Sequence, residues 1–473
     1  MKQQNKNFIL NVGYQLLMYL FPLVSAAYVS RVLGANNIGL YSYVNSIVTI
    51  CGMFGLLGIS NYGNRETAKV RDDRKKLSEV FSSVYTLQLM LSAVVLAVYI
   101  LAITVIPTDN KRLFYIQALN ILSVACDITW LFFGLEKFKL VLFRNFLVKL
   151  ISLILILIFV RSENDLWIYT LIMSASTFLS QAVLLAMSRK VAEFKFCGVS
   201  AVAKHFKSCC ILFIPVIAFS VYRIMDKTML GAMAAKSQLG YYENAERLIN
   251  IPIMVISALG TVMLPHMAYS IENGKGEYRQ TIASSMRLAL NIASFSAFGL
   301  LAVGKDLCVA IFGKQYSNSG YIVMLLSCTV LASAWANVIR TQYLIPKGLD
   351  KIYVTSTLIG AAVNFLFNIV FIRPYGAVGA CFGTILAEFS IAVYQSLCIR
   401  RELDFGIYLR DLFLSLFKAG ITALAIYTIG LFIGDSYLRL TLQIFVAIIL
   451  FVILNRRFIL YEFLGLKAKN SPN

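Results

Sequence analysis

Apolar residues run through this chain in blocks of about twenty, separated by short clusters of Lys, Arg, Gly and Pro. A bilayer core takes roughly 20 apolar residues per helix, so cutting at the clusters predicts fourteen spans. They run over 8–29, 38–60, 80–106, 112–134, 141–160, 165–187, 208–230, 241–269, 281–303, 320–343, 352–372, 376–398, 411–433 and 436–454. The first span follows a short basic stretch, as the core of a signal peptide would. It is longer than the roughly 7 to 15 residues of such a core, and another span follows closely, so it is expected to stay as the first helix.

Composition agrees with this pattern. Of 473 residues 59% are apolar and 14% charged, which excludes a soluble domain that must clothe itself in polar side chains. The net charge of +20 would suit a nucleic-acid binder, but the cations lie between apolar runs and build no basic domain or recognition motif. Their placement sets an orientation instead. With the N-terminus inside, the inward segments hold 27 Lys and Arg, among them Arg65, Lys69, Arg71, Lys204, Lys207, Lys275, Arg457, Lys467 and Lys469. The outward segments hold nine, among them Arg31, Lys111, Lys236, Lys305 and Arg439. Cations favour the cytoplasmic side, so both termini are expected in the cytoplasm and the protein in the cytoplasmic membrane. The basic loops will also meet anionic membrane lipid.

Chemistry-bearing residues are sparse. The nine cysteines form no CxxC, and His205 and His266 are the only histidines; no metal site and no cofactor is expected. The outward loops are short, the longest about 304–319, and carry no acidic pair or large catalytic element. No catalytic residue is assigned, and the chain is expected not to be an enzyme. A membrane enzyme acting on lipid-linked sugars is the alternative from another class, and would need catalytic carboxylates or a histidine at a membrane face.

A weak internal repeat is legible. Gly39-Leu40-Tyr41 leads into the second span and Gly240-Tyr241-Tyr242 into the eighth, each placing a Gly-x-Tyr at an outer turn before an inward-running helix. Duplicated halves are a sign of transporters. The repeat divides the chain into an N-lobe of six spans (1–190), a C-lobe of six (191–405) and an appendix of two spans with a cytoplasmic tail (406–473). The same residues carry a family resemblance. The segments SRVLGANNIGLYSYVNSI from Ser30, LGYYENAERLINIPIMVISALGTVMLPHMA from Leu239 and YGAVGACFGTILAE from Tyr375 resemble the Wzx-type polysaccharide-lipid flippases of the multidrug/oligosaccharidyl-lipid/polysaccharide exporter superfamily. The resemblance implies an all-α, MATE-like membrane bundle with two six-helix lobes around a central cavity. It implies alternating access and transfer of an undecaprenyl-diphosphate-linked oligosaccharide for cell-surface polysaccharide, with a polysaccharide polymerase and other glycan-assembly proteins as possible partners. A multidrug exporter of the same architecture is the other reading, one that a more acidic or aromatic cavity would favour.

Ionisable groups inside a bilayer are costly, which makes each a functional candidate. Ser220, Arg223 and Lys227 share one face of the seventh span, with Asp226 beside them; Glu243, Glu246, Arg247 and Asn250 form a stripe on the eighth. In an antiparallel hairpin turning near Ala235, Lys227 comes level with Glu243 and Arg223 with Arg247. Guanidinium forks match phosphate oxygens, so Arg223, Lys227 and Arg247 are candidates to hold a diphosphate. The bland reading is that Lys227 pairs with Glu243, and Arg223 with Asp226 or Glu246, only to neutralise buried charge. Arg31 is a further substrate-binding candidate, or it snorkels to headgroups, as Arg340 and Lys149 also would. Glu388 and Asp127 lie too deep for that; each is a candidate for a coupling proton or cation, or a structural carboxyl.

The orientation is open to a direct test. In a cysteine-free background, single cysteines at Lys236 and Ser317 are expected to react with an impermeant thiol reagent in intact cells, and cysteines at Lys75 and Lys204 only after lysis. Labelling of Lys75 in intact cells would refute the topology.

Overall fold

The computed structural model describes residues 2–108, 110–272 and 278–456. Lys275 and the tail cations Arg457, Lys467 and Lys469, counted as inward-facing, lie outside the described residues. Every regular element described is a helix. With no water in the hydrocarbon, each backbone N–H and C=O must find its partner within its own segment, and a helix does this unaided. Among the described residues twelve helices are long and apolar enough to cross a bilayer. The first of them carries two predicted spans, and the span 208–230 lies on a further helix, Val199–Met233. All fourteen predicted spans thus fall on helix.

The chain divides into two compact units, Tyr28–Gly240 and Tyr241 onward together with the residues up to Ala27. The first unit takes most of α1 (Lys2–Leu56), then α2 (Ile59–Lys69), α3 (Arg74–Val105), α4 (Lys111–Ala125), α5 (Thr129–Gly134), α6 (Phe138–Phe159), α7 (Leu166–Ser188) and α8 (Val199–Met233). The second holds nearly all of α9 (Lys236–Glu272), then α10 (Tyr278–Phe312), α11 (Ser317–Ile339), α12 (Asp350–Tyr375), α13 (Ala377–Cys398), α14 (Phe405–Phe432) and α15 (Ser436–Leu454).

The spans differ from their sequence outlines where the backbone is broken. The first two are one helix interrupted at Gly34, whose φ of 78° only glycine adopts without strain. The second ends at Leu57 and Gly58, both at positive φ, and resumes as α2. The span 112–134 is split at Cys126–Ile128 into α4 and α5, and the tenth ends in a π-helical turn, Arg340–Leu344. The Gly-x-Tyr motifs are not turns. Gly39 and Gly240 lie one turn inside helices that begin after Gly34 and at Lys236.

Packing follows membrane rules. Apolar side chains gain nothing from leaving lipid for protein, so close contact through small residues does the work. A Cβ on Gly63 would strike the Trp130 ring, and one on Gly134 the side chain of Thr67, which binds α2 to α5. In the second unit Gly379 faces the backbone of Phe371, and Gly383 lies against Asn368. The glycines of the Tyr375 segment are therefore the surface on which α13 meets α12. Outward positions are apolar instead: Val98 is 62% and Phe417 70% exposed, as side chains against lipid should be.

The last two helices are tied to α10 by polar contacts. Arg287 donates from Nε to Asp411 Oδ2 at 3.0 Å, and Ser415 donates to Asn291 at 3.0 Å. Arg439 reaches Asp306 at 2.6 Å. Asp411 is almost fully buried, and removing it takes away the carboxylate to which Arg287 donates. Asp411→Ala is expected to cost about 1.5 to 3 kcal/mol, the worth of a charged hydrogen bond, read as a lower melting temperature in detergent. Arg287→Met with Asp411→Leu is expected to recover most of it.

Candidate functional site

The sequence candidates divide between the two units. Arg223 and Lys227 stand one turn apart on α8 in the first; Arg223 is exposed and Lys227 half-buried, and the carboxylate of Asp226 between them is buried. Arg31 is exposed in α1, three residues before the break at Gly34. Arg247 belongs to the second unit, where its Nη2 donates to Glu243 Oε1 at 3.3 Å. That partner lies one turn earlier on the same helix. Arg247 keeps 22% of its side chain exposed and Glu243 13%.

The two deep carboxylates have visible structural work. Asp127 sits in the break between α4 and α5, and its Oδ1 accepts from the backbone N–H of Thr129, the first residue of α5, at 3.0 Å. Gln88 donates to the carbonyls of Val124 and Asp127 at 2.7 and 2.8 Å, and Trp130 Nε1 donates to Gln88 Oε1 at 3.0 Å. The interrupted helix is thereby satisfied by side chains. Glu388 on α13 accepts from Ser333 of α11 at 2.8 Å.

Sequence reasoning passed over three polar groups. Tyr242 and Thr384 share a hydrogen bond of 3.0 Å, which ties the Gly-x-Tyr motif at Gly240 to α13. One turn apart on α12, Asn368 donates to Asn364 at 3.0 Å, both fully buried. Two asparagines four residues apart in an apolar helix are the signal that marks them. The third is Lys347, whose Nζ donates to Glu402 at 2.7 Å and to the Tyr343 hydroxyl at 2.6 Å, while that hydroxyl also bonds Glu402. The bond from Lys347 holds the Glu402 carboxyl below its ordinary range.

The motif glycines meet each other. A Cβ added to Gly39 would collide with the carbonyl oxygen of Lys236, and one added to Gly240 with the carbonyl oxygen of Ala35. Each glycine thus packs on the residue four positions before the other, a reciprocal contact of the kind a two-fold relation produces. Nearby, Gly231 lies against the Tyr43 ring, the Lys236 ammonium stands 3.7 Å from that ring's centroid, and Thr228 donates to Ser46 at 3.0 Å. These contacts bring the start of the helix after Gly34 against the end of α8 and the beginning of α9.

His205, without an evident partner in the sequence, is held at both ring nitrogens. Ser83 Oγ lies 2.9 Å from Nε2 and has its own proton committed to the carbonyls of Glu79 and Val80. Nε2 therefore carries the hydrogen, and Nδ1 accepts from the Tyr62 hydroxyl at 2.6 Å. This clasp of α2, α3 and α8 is structural. Among the described residues no group of three His, Cys, Asp or Glu is placed to hold a metal ion.

Comparison with known proteins bears on all of this. A family described as polysaccharide biosynthesis protein matches residues 5–271. The protein named O-antigen transporter in Shigella dysenteriae is 23% identical over 80% of this chain and 95% of its own length. The one so named in Escherichia coli is 23% identical over 75% of this chain and 87% of its own. Among solved structures the lipid II flippase MurJ in an inward closed conformation superposes with a TM-score of 0.72 at 15% identity, covering 97% of this chain and all of its own. A multidrug resistance transporter of the MATE family, in the multidrug/oligosaccharidyl-lipid/polysaccharide exporter superfamily, follows at 0.63 and 12% identity, covering 81% of this chain and 94% of its own. Both share the fold.

The His205 clasp gives a pH dependence of known sign. Burial first, then the neighbouring Lys204 charge, hold its pKa below the ordinary value, against the opposite pull of Glu66. The folded state therefore binds fewer protons than the unfolded one between the folded pKa and about 6.5. The contribution is complete above that value and is lost as pH falls through the window. Melting temperature is expected to drop from pH 7.5 to 5.5, and His205→Gln to flatten the drop; equal slopes would exclude His205 as the cause.

Proposed function

The chain belongs to the polysaccharide biosynthesis protein family, and from that membership we propose that its cargo is an oligosaccharide repeat unit on undecaprenyl diphosphate, carried between leaflets of the cytoplasmic membrane by alternating access. The coarser statement, a multi-pass flippase of lipid-linked glycan that is not an enzyme, rests on the family and on transporters matched along most of their length. The topology expected from the cations puts both termini in the cytoplasm and the movement from inner to outer leaflet. A polymerase and other glycan-assembly proteins would take the product.

The observation that carries the finer reading is the presence of Arg223 and Lys227 on α8 and of Arg247 on α9, a helix long and apolar enough to cross a bilayer. A diphosphate is the most strongly anionic part of such a cargo. In a medium of low dielectric, a positive charge facing it is worth several times its value in water. Each of the three supplies charge to the diphosphate during transfer, and Arg31 meets the headgroup at one end of the path. The multidrug reading has no use for three retained cations. Glu388 is the better candidate for ion coupling, since the known work of Asp127 is to close a helix break.

Arg223→Ala or Arg247→Ala is expected to abolish export of surface glycan while the protein stays folded and inserted, with Lys at either site restoring part of it because it keeps the charge and loses the fork. The double variant Arg223→Ala with Asp226→Asn separates this from a structural role. It is expected to fold and still fail to export; normal surface glycan in that variant would remove Arg223 from the cargo path.

A further inference from the structure

The lipid-facing surface of the first unit is interrupted by a groove of about 570 Å³ between the second part of α1, α3 and α4. That volume lies within the range of small-molecule sites, roughly 300 to 1,000 Å³. Its walls are apolar, with Phe54, Val94 and Val98 on the open side; Val94 is 61% exposed. On a chain that spans a bilayer such positions face hydrocarbon, so the groove is continuous with the lipid. Water gains nothing by entering walls of this kind.

One end of the groove is different. Lys236 closes it, with its ammonium over the Tyr43 ring and donating to the carbonyl of Gly231. Neither contact carries a counter-charge. Lys111 donates to the carbonyl of Thr104 at 3.2 Å, a few residues in sequence from Pro107 and Thr108 of the rim. A slot of hydrocarbon character with an ammonium at its mouth matches one kind of molecule, a lipid with its chain in the slot and its phosphate at the lysine.

We propose that this groove is a fixed binding site for an anionic phosphoglycerolipid of the bilayer, one acyl chain lying between α1 and α3 and the headgroup phosphate on Lys236. The occupant is the bilayer lipid because the groove opens directly to it, and charge selects a headgroup of net negative sign. The backbone of Lys236 is also what Gly39 packs against. A lipid seated there therefore steadies the helix crossing from its lipid side, whatever the glycan cargo.

The test uses the full chain in phosphatidylcholine nanodiscs, doped with phosphatidylglycerol that carries a photoreactive group on the acyl chain. Cross-links are expected to concentrate on the α3 segment 94–103 and near Cys51. Val98→Trp, which fills the slot, is expected to abolish them, while Val98→Ala leaves them in place and shows that loss is not misfolding. Lys236→Gln is expected to lower the preference for phosphatidylglycerol over an equally photoreactive phosphatidylcholine about fivefold, the effect of one basic residue at a lipid surface. Cross-links spread evenly over the exposed helix faces and unchanged by Val98→Trp would overturn the proposal. So would displacement of the probe by equimolar undecaprenyl phosphate and not by unlabelled phosphatidylglycerol, which would give the groove to the carrier lipid.

Discussion

Hydrocarbon offers no partner to a backbone N–H or C=O, and an unsatisfied one costs several kcal/mol. That requirement explains why the described chain is helical almost throughout, and also where its helices break. At the break between α4 and α5, Gln88 takes the carbonyl of Asp127 and shares that of Val124 with the Asp127 amide. Asp127 itself covers the amide of Thr129. Three side chains, with Trp130 holding Gln88 in place, thus pay for one interruption. Where no such set exists, the chain turns on glycine, as at Gly34 and Gly58.

Because lipid tails are as apolar as leucine, the forces that assemble the helices differ from those of a soluble core. Shape and polar knots replace the expulsion of water. Glycine supplies the shape at Gly63, Gly379 and the Gly39 and Gly240 crossing, and the knots come from Tyr242 with Thr384 and Asn364 with Asn368. Beside that crossing Tyr43 covers Gly231 and Thr228 donates to Ser46, so shape and a polar knot act together there.

The spans were legible because length and hydropathy are coarse properties that survive any detail of packing. Gly39 and Gly240, paired by motif in the sequence, each lie one turn inside a helix. What the sequence concealed was the partner of each polar group. Glu243 is level with Lys227 in a hairpin, and the structure adds Arg247, four residues on, at 3.3 Å. His205 looked solitary because Tyr62 and Ser83 lie more than a hundred residues away. Local pairs such as Asn364 and Asn368 follow from helical spacing, while distant ones need the tertiary fold.

The two appended helices show how the same physics limits movement. An apolar helix beside an apolar helix has little to fix its register, since sliding by a turn exchanges one lipid-like contact for another. Here α14 is held to α10 by the buried Asp411 with Arg287 and by Ser415 with Asn291. Farther along, α15 is held by Arg439 with Asp306, and Gln443 donates to the carbonyl of Ile426 on α14 at 2.9 Å. A slip of one turn would break each of these at once and strand charges in lipid, at a cost far above that of any apolar rearrangement. The hairpin of α14 and α15 must then travel with α10 as one piece, and a transport motion has to find its freedom elsewhere.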